Sequence, residues 1–354
     1  MKKLLTSLTA ILLILVNITA QHNKVVDRII ELGQTDNRTM QHLDVIANRF
    51  GGRPVGSDAY DNAAEWCASE FKKWGMEVIM DEAGTVPVGF NRGPWFGRML
   101  SDNGMILHFA TPSYTSGTKG VQRGHVLLEP KSREELDRMK GALKGAWVLI
   151  GGKSNGMAVD WSLKADSARA KIIAENDSIA KLNSEIMREN YSNRDKPQKE
   201  LISMKEEPAL FFREMREAGI LGIIQKASVP ITALYDRKNI DKLTFETLPT
   251  VCDIKLDEHQ YAIIEQMAKE RQYFLLEFDI RNHFKPGPVK YYNVIGVIRG
   301  TKYPDEYVMM GGHLDSYDAG TGGVDDGSGI TPHMEAARLI MAAGGKPERT
   351  ILVC

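Results

Sequence analysis

The 354 residues carry a formal net charge of −1 and are 43% hydrophobic, enough chain and enough apolar surface for two domains with cores of their own. Acidic and basic residues are mixed along the chain, with no basic stripe and no interleaving of basic with aromatic residues. That pattern argues against nucleic acid as a partner.

Lys2 and Lys3 precede an apolar run over residues 4–16, and Thr19-Ala20 offers a small-residue cleavage point. This is the form of a secretory signal peptide over residues 1–20, although Ile18 stands where a smaller residue is usual. The run is too short to span a bilayer comfortably, and no other stretch is a candidate span. The expectation is a secreted or periplasmic protein without stable membrane insertion; an uncleaved N-terminal anchor is the alternative.

Val26, Ile29 and Ile30, then Leu43, Ile46 and Phe50, predict two amphipathic helices with a turn at Asp36-Asn37. "RFGGRPVGSDAYDNAAEWCASEFKKWGMEV" opens as a Gly/Pro-rich loop, offers Ser57 or Asp58 as N-cap, and predicts a helix running to Trp74 and stopped by Gly75. "MEVIMDE" reads as the next strand. From Ser113 the texture changes, and "GHVLLE" and "GAWVLIGG" read as short strands. Ile172, Ile179, Leu182 and Ile186 form a helical seam opposite a strongly charged face. "NYSNRDKPQ" breaks it, and a second helix is expected over 199–217. The plain reading of this pair is a solvated helical hairpin; a lid or a dimer contact is the sharper one. "MREAGILGIIQKA" predicts a helix, a stop at Gly219 and a buried strand, and "LPTVCDIKL" and "QYFLLEFDIRNHF" add strands. Cys67 and Cys252 read as buried free thiols, with a disulfide between them as the alternative. Asn37, Asn176 and Asn190 each head an N-glycosylation sequence, relevant in a eukaryotic secretory pathway.

Lys285-Pro286-Gly287-Pro288 is expected to be a linker or edge turn. Strands over 293–298 and 307–310 follow, joined by a turn at Tyr303-Pro304-Asp305. A helix is predicted over 330–343, burying Ile330, Met334, Ala337 and Ile340 or Met341; Gly344-Gly345 and Pro347 end it, and "TILVC" starts a strand. Strand, loop, helix, strand is the rhythm of parallel strands with packed helices.

Between the second of these strands and the helix lies "HLDSYDAGTGGVDDGSG", residues 313–329, with one histidine, four aspartates and five glycines. His313 and Asp315 alternate at the carboxyl end of a strand, where ligand sites of α/β sheets collect. Asp325 sits just ahead of the helix, where a helix dipole favours an anion. Carboxylates and an imidazole converging in one place repel one another unless a cation joins them, and this donor set suits zinc. An ordinary Asp/Gly-rich turn is the alternative. The spacing of a calcium-binding EF-hand and the H-E-x-x-H pattern are both absent.

The segment "GGHLDSYDAGTGGVDDGSGITPHMEAARLI" closely resembles the first metal-binding segment of the M28 family of zinc exopeptidases, most of all the branch containing carboxypeptidase Q. "MREAGILGIIQKA" and its surroundings resemble a protease-associated (PA) domain inserted in the peptidase domain. The resemblance implies an α/β fold, an incomplete zinc-exopeptidase sheet with flanking helices, plus an inserted PA-like domain with a helical hairpin. The implied divisions are a peptidase part over 21–112, the PA-like part over 113–288 with its helical insert over 160–217, and the peptidase domain resumed over 289–354. It further implies that His313 is a zinc ligand, that Asp315 is the catalytic-centre carboxylate orienting it, and that Asp325 bridges two zinc ions. Asp326 takes a supporting role, Asp318 is expected in solvent-exposed loop, and His333 on a helix face rather than on a metal. The implied substrate is a peptide, weakly a small peptide or dipeptide, with a homodimer allowed for. The family's general-base glutamate and remaining ligands fall after the strand begun by "TILVC", so the chain is expected to be a fragment with little or no activity. The alternatives are a non-catalytic peptide- or protein-binding protein and a glutaminyl cyclase-like acyl transferase.

Overall fold

The computed structural model of the protein describes residues 24–101, 104–234, 240 and 242–354; the signal-peptide reading over 1–20 falls outside them. Among the described residues no helix is long and apolar enough to cross a membrane.

The chain opens with α1 (Lys24–Thr35) and α2 (Thr39–Asp44), the latter continued by a π-helical turn over Val45–Phe50. α3 (Asp58–Lys73) begins where the sequence places it: Ser57 is the cap, its side chain accepting from the Tyr60 N–H. Gly75, at φ +83°, takes the left-handed turn that ends it. β1 (Glu77–Leu100) then runs for 24 residues, far beyond the short strand expected. It pairs antiparallel with an equally long strand, β7 (Leu275–Ile298), to form a two-stranded ribbon. The expected linker at 285–288 is therefore strand: Pro286 lies opposite Val88 and Lys285 opposite Gly89. Proline cannot donate to a ladder, and two of the three irregularities in register fall where Pro87 and Pro94 sit, between Val86/Val88 and Arg92/Trp95. A Cβ on Gly287 would come within 1.8 Å of the Pro87 carbonyl oxygen, so only glycine fits this crossing.

Between the two ribbon strands lie β2 (Phe109–Ala110), β3 (Gln122–Leu128), α4 (Arg133–Met139), β4 (Trp147–Ser154), α5 (Leu163–Ser192), α6 (Phe212–Glu217), β5 (Gly222–Ala227), β6 (Cys252–Asp257) and α7 (Glu258–Lys269). β3, β4, β5 and β6 are parallel neighbours in that order. After the ribbon come β8 (Tyr303–Met310), α8 (Ser328–Ala342) and β9 (Arg349–Val353). One sheet results, in the order β2-β6-β5-β4-β3-β7-β9-β8, with β1 on β7. β7 joins its two ends, pairing with β3 through Leu275–Phe278 and with β9 through Gly296–Ile298. Tyr303-Pro304-Asp305, expected as a turn, lies inside β8, which is parallel to β9. α3 and α8 pack on the β7–β9 region through Phe71, Ala63, Ile330, Met334 and Ala337, the helix face anticipated for α8. Cys67 and Cys252 are buried free thiols.

The expected second helix over 199–217 forms only at Phe212–Glu217. Residues 199–205 instead lie extended along α5. Asn176, Asn183 and Asn190, seven residues apart, each pair their side-chain amide with one backbone residue three apart on this strap. Asn176 takes the N–H and C=O of Lys205 at 2.8 and 3.0 Å, Asn183 those of Ile202 at 2.8 and 2.8 Å, and Asn190 those of Lys199 at 2.9 and 2.9 Å. The periods match: seven helical residues rise about 10.5 Å, and three extended residues cover about 10 Å. The apolar seam anticipated on α5 is thus displaced as the buried line: Asn176 and Asn183 are buried, while Leu182 is exposed. Of the three N-glycosylation asparagines, Asn176 and Asn190 have their amides engaged in the strap, and Asn37 lies on an exposed turn.

Candidate metal centre

β8, α8 and β9 form a parallel crossover unit, and the chain leaves the carboxyl end of β8 through Gly311 and Gly312 into His313. That end of a strand is where loop side chains can converge. His313 Nδ1 lies 2.9 Å from the Asp315 carbonyl oxygen and 3.2 Å from Asp315 Oδ1. Its other nitrogen, Nε2, is 2.9 Å from Asp325 Oδ1. Partial burial works to lower the His313 pKa, but the Asp315 carboxylate and carbonyl, with Asp326 and Asp325 behind them, outweigh it and hold the imidazole above its ordinary value. Asp315 is mostly buried, whereas His313 and Asp325 face solvent.

Two ligand atoms on a tetrahedral zinc ion stand about 3.3 Å apart. The 2.9 Å between His313 Nε2 and Asp325 Oδ1 is close to that separation. With Nδ1 engaged by Asp315, Nε2 is the nitrogen turned to the Asp325 carboxylate, and a carboxylate on the other ring nitrogen fixes the tautomer and the ring orientation. Among the described residues no group of three or more His, Cys, Asp or Glu is placed to hold a metal ion; the chain brings His313 Nε2 and Asp325 Oδ1 together, with the Asp315 carboxylate behind the imidazole.

Asp326 stands behind these two. Its Oδ2 accepts from the His313 N–H at 3.2 Å. A Cβ on Gly312 would meet that oxygen at 2.4 Å and one on Gly329 would meet Oδ1 at 2.0 Å, so both glycines are needed to let the carboxylate in. The backbone at Asp325 and Asp326 is non-helical, and α8 begins only at Ser328. His333 lies on α8.

The exposed-loop expectation for Asp318 is overturned. Its side chain is 3% exposed and takes Arg92 Nε at 2.6 Å and Nη2 at 3.2 Å. Ser113 donates to the same carboxylate, and Arg92 also reaches the Thr111 hydroxyl and carbonyl, both at 2.7 Å. The loop is thereby pinned to β1 and to the segment that leads into the inserted strands. Nothing local distinguishes Asp318 from its neighbours; its partner lies 226 positions away.

Arg53 is a second residue that sequence reading passes over. It is fully buried and its guanidinium meets only carbonyl oxygens: Leu314 at 2.9 Å, Ile46 at 3.0 Å, Gly51 at 2.5 Å, Thr321 at 3.2 Å and Gly322 at 3.2 Å. Its backbone pairs with Ser316 in both directions, each at 3.0 Å. Burial pulls its pKa below the usual arginine value. The Gly/Pro-rich character of "RFGGRP" was the available signal: a Cβ on Gly52 would strike the Asp318 backbone at 2.3 Å. Beside His313 and Asp315 a cavity of about 410 Å³ opens, walled by Phe71, Val86, Tyr60, Tyr114 and Tyr291.

Residues 293–354 match peptidase family M28. Carboxypeptidase Q from Pongo abelii is 23% identical over 337 residues, covering 94% of this chain and 61% of its own length. The human protein of that name is 22% identical over 321 residues, covering 90% and 58%. Carboxypeptidase Q from Rattus norvegicus is 34% identical over a shorter 109 residues, 29% of this chain and 21% of its own. The crystal structure of a peptidase M28 precursor from Shewanella amazonensis aligns with a TM-score of 0.49 at 19% identity, covering 93% of this chain and 66% of that one. The chain spans about three fifths of the length of the curated relatives that it matches from end to end. The segment carrying His313, Asp315 and Asp325 therefore lies within the match to peptidase family M28, and most of the chain is similar to carboxypeptidase Q.

Proposed function

We propose that this protein is a secreted or periplasmic metallo-exopeptidase acting on small peptides or dipeptides, and that His313 and Asp325 supply two of the donors of its zinc centre. The observation that carries the reading is the convergence of His313 Nε2 and Asp325 Oδ1, with Asp315 holding Nδ1, inside a segment of an M28 peptidase. Zinc held by His313 and Asp325 would supply Lewis-acid polarisation of a scissile carbonyl. Asp315 fixes the imidazole tautomer and ring plane. Asp326 orients the His313 backbone. The apolar cavity beside them offers a water-poor wall for a substrate side chain. Residues 113–288 form a PA-like module that stands on the β1–β7 ribbon.

Zinc titration of the purified chain, followed by competition with a chromophoric chelator, tests the ligand assignment. His313→Ala and Asp325→Asn each abolish stoichiometric binding, while Asp326→Asn, which keeps the shape and the acceptor, weakens it less. Unchanged zinc content in His313→Ala removes the assignment. The reverse order of the two aspartate variants moves the bridging carboxylate to Asp326. A chain that binds no zinc at all favours a binding protein over an enzyme.

A further inference from the structure

We propose that Arg53 is a positioning residue that sets the separation of His313 from Asp325 by clamping both ends of the loop between them; the proposal rests on the metal-centre reading above. The loop leaves His313 at Leu314 and returns to Asp325 through Thr321 and Gly322. One guanidinium holds both ends, through Nε to Leu314 and through Nη1 and Nη2 to Thr321 and Gly322. Its remaining bonds, to Ile46 and Gly51, anchor it to the turn after α2. Three chain segments thus meet on one planar group.

The chemistry calls for arginine. Five N–H donors in a rigid fork can address carbonyls on opposite sides at once, whereas a lysine ammonium offers three donors from one point. The fit is tight at the return end: Gly322 has φ +63°, and a Cβ there would stand 2.8 Å from Arg53 Nη2 and 2.4 Å from Ser316 Oγ. Burial of this charge is not a stability device. Its hydrogen bonds to Leu314, Ile46, Gly51, Thr321 and Gly322 all go to carbonyl oxygens, and an apolar side chain of similar volume usually serves a core at least as well as a buried ion. What the guanidinium adds is geometry. The Asp315 carboxylate feels its positive field, and its bond to Leu314 fixes the peptide between His313 and the Asp315 that orients it. Loss of the clamp frees the loop to widen and lets His313 and Asp325 drift apart, without removing either.

The test is Arg53→Lys in the full chain, with Ser316→Ala as a milder variant that removes only the hydroxyl accepting from the Arg53 N–H. Zinc affinity is read by chelator competition, the coordination sphere by the visible spectrum of bound Co²⁺, and the fold by circular dichroism and thermal melting. Arg53→Lys is expected to remain folded, to lose about tenfold or more in zinc affinity, as supporting residues of metal ligands do, and to change the Co²⁺ band positions. Ser316→Ala is expected to shift both in the same direction by less. A folded Arg53→Lys that binds zinc within about twofold of the parent with an unchanged Co²⁺ spectrum overturns the proposal and leaves the ligand assignment standing. If Arg53→Lys does not fold, an unchanged Ser316→Ala overturns it. A parent chain that binds neither metal overturns the metal-centre reading and this inference with it.

Discussion

Asp318→Ala leaves Arg92 in place without its carboxylate. The two side chains are 7% and 3% exposed and share bonds of 2.6 and 3.2 Å. At that depth water screens little, and removing one partner of such a pair costs about 3–5 kcal/mol because the other charge stays buried and unpaired. The two Thr111 bonds remain, and the guanidinium keeps the Phe90 and Trp95 rings at 5.7 and 5.4 Å. These soften the loss, so the lower end, about 3 kcal/mol, is expected. Urea unfolding followed by tryptophan fluorescence measures it as a fall in midpoint at constant slope. The double variant Arg92→Leu/Asp318→Leu removes both charges together and should recover a large part of that loss, since apolar replacements of a buried pair are often neutral. A single variant within about 1 kcal/mol of the parent would refute the reasoning. So would a double variant as unstable as the two single ones added.

Glu129 gives the chain a pH-dependent stability. Burial pushes its carboxyl up to about 7, against the N–H groups of Gly151 and Leu210 that favour the ion. The unfolded chain ionises this group first, near about 4.3. Stability therefore falls as pH rises from about 4.5 to 7, by about 3 kcal/mol at most, and Glu129→Gln should flatten that slope; an equal slope in both proteins disposes of the idea. Asn183→Ala removes both bonds to Ile202 and should cost about 1–2 kcal/mol. Hydrogen exchange at the Ile202 amide is the sharper readout: it should accelerate while the core of β4 does not, and unchanged exchange would mean that the strap is held by something else.

Several elements could be read from the residues alone because their causes are local. α3 shows its cap, its apolar period and its glycine stop within one stretch of chain. α8 shows the same face in sequence as in structure, with Ile330, Met334 and Ala337 buried. The H-x-D pair after β8 and the aspartates ahead of α8 were likewise legible, since alternation along a strand and position at its end follow from spacing. The strap over 199–205 was not. Its sequence carries helix-forming residues, and what overrides them is a row of asparagine amides on α5 that satisfy its backbone in extended form. The ribbon was hidden too, because Pro286, Gly287 and Pro288 look like a turn until a partner strand with its own bulges is laid against them.

Read along the chain, the residues define the chemistry on offer: which side chains could donate to a metal, and at which strand end and helix start they stand. How those side chains are held follows from the packed fold. Asp318 and Arg92 are 226 positions apart, and Arg53 bonds to Leu314 across 261. Arg92 has no local feature that marks it, and Arg53 has only its Gly/Pro-rich surroundings. Burial of a charge is a property of the packed surroundings, and its cost is met only when distant carbonyls or a carboxylate arrive together, which no period or motif along the chain can announce.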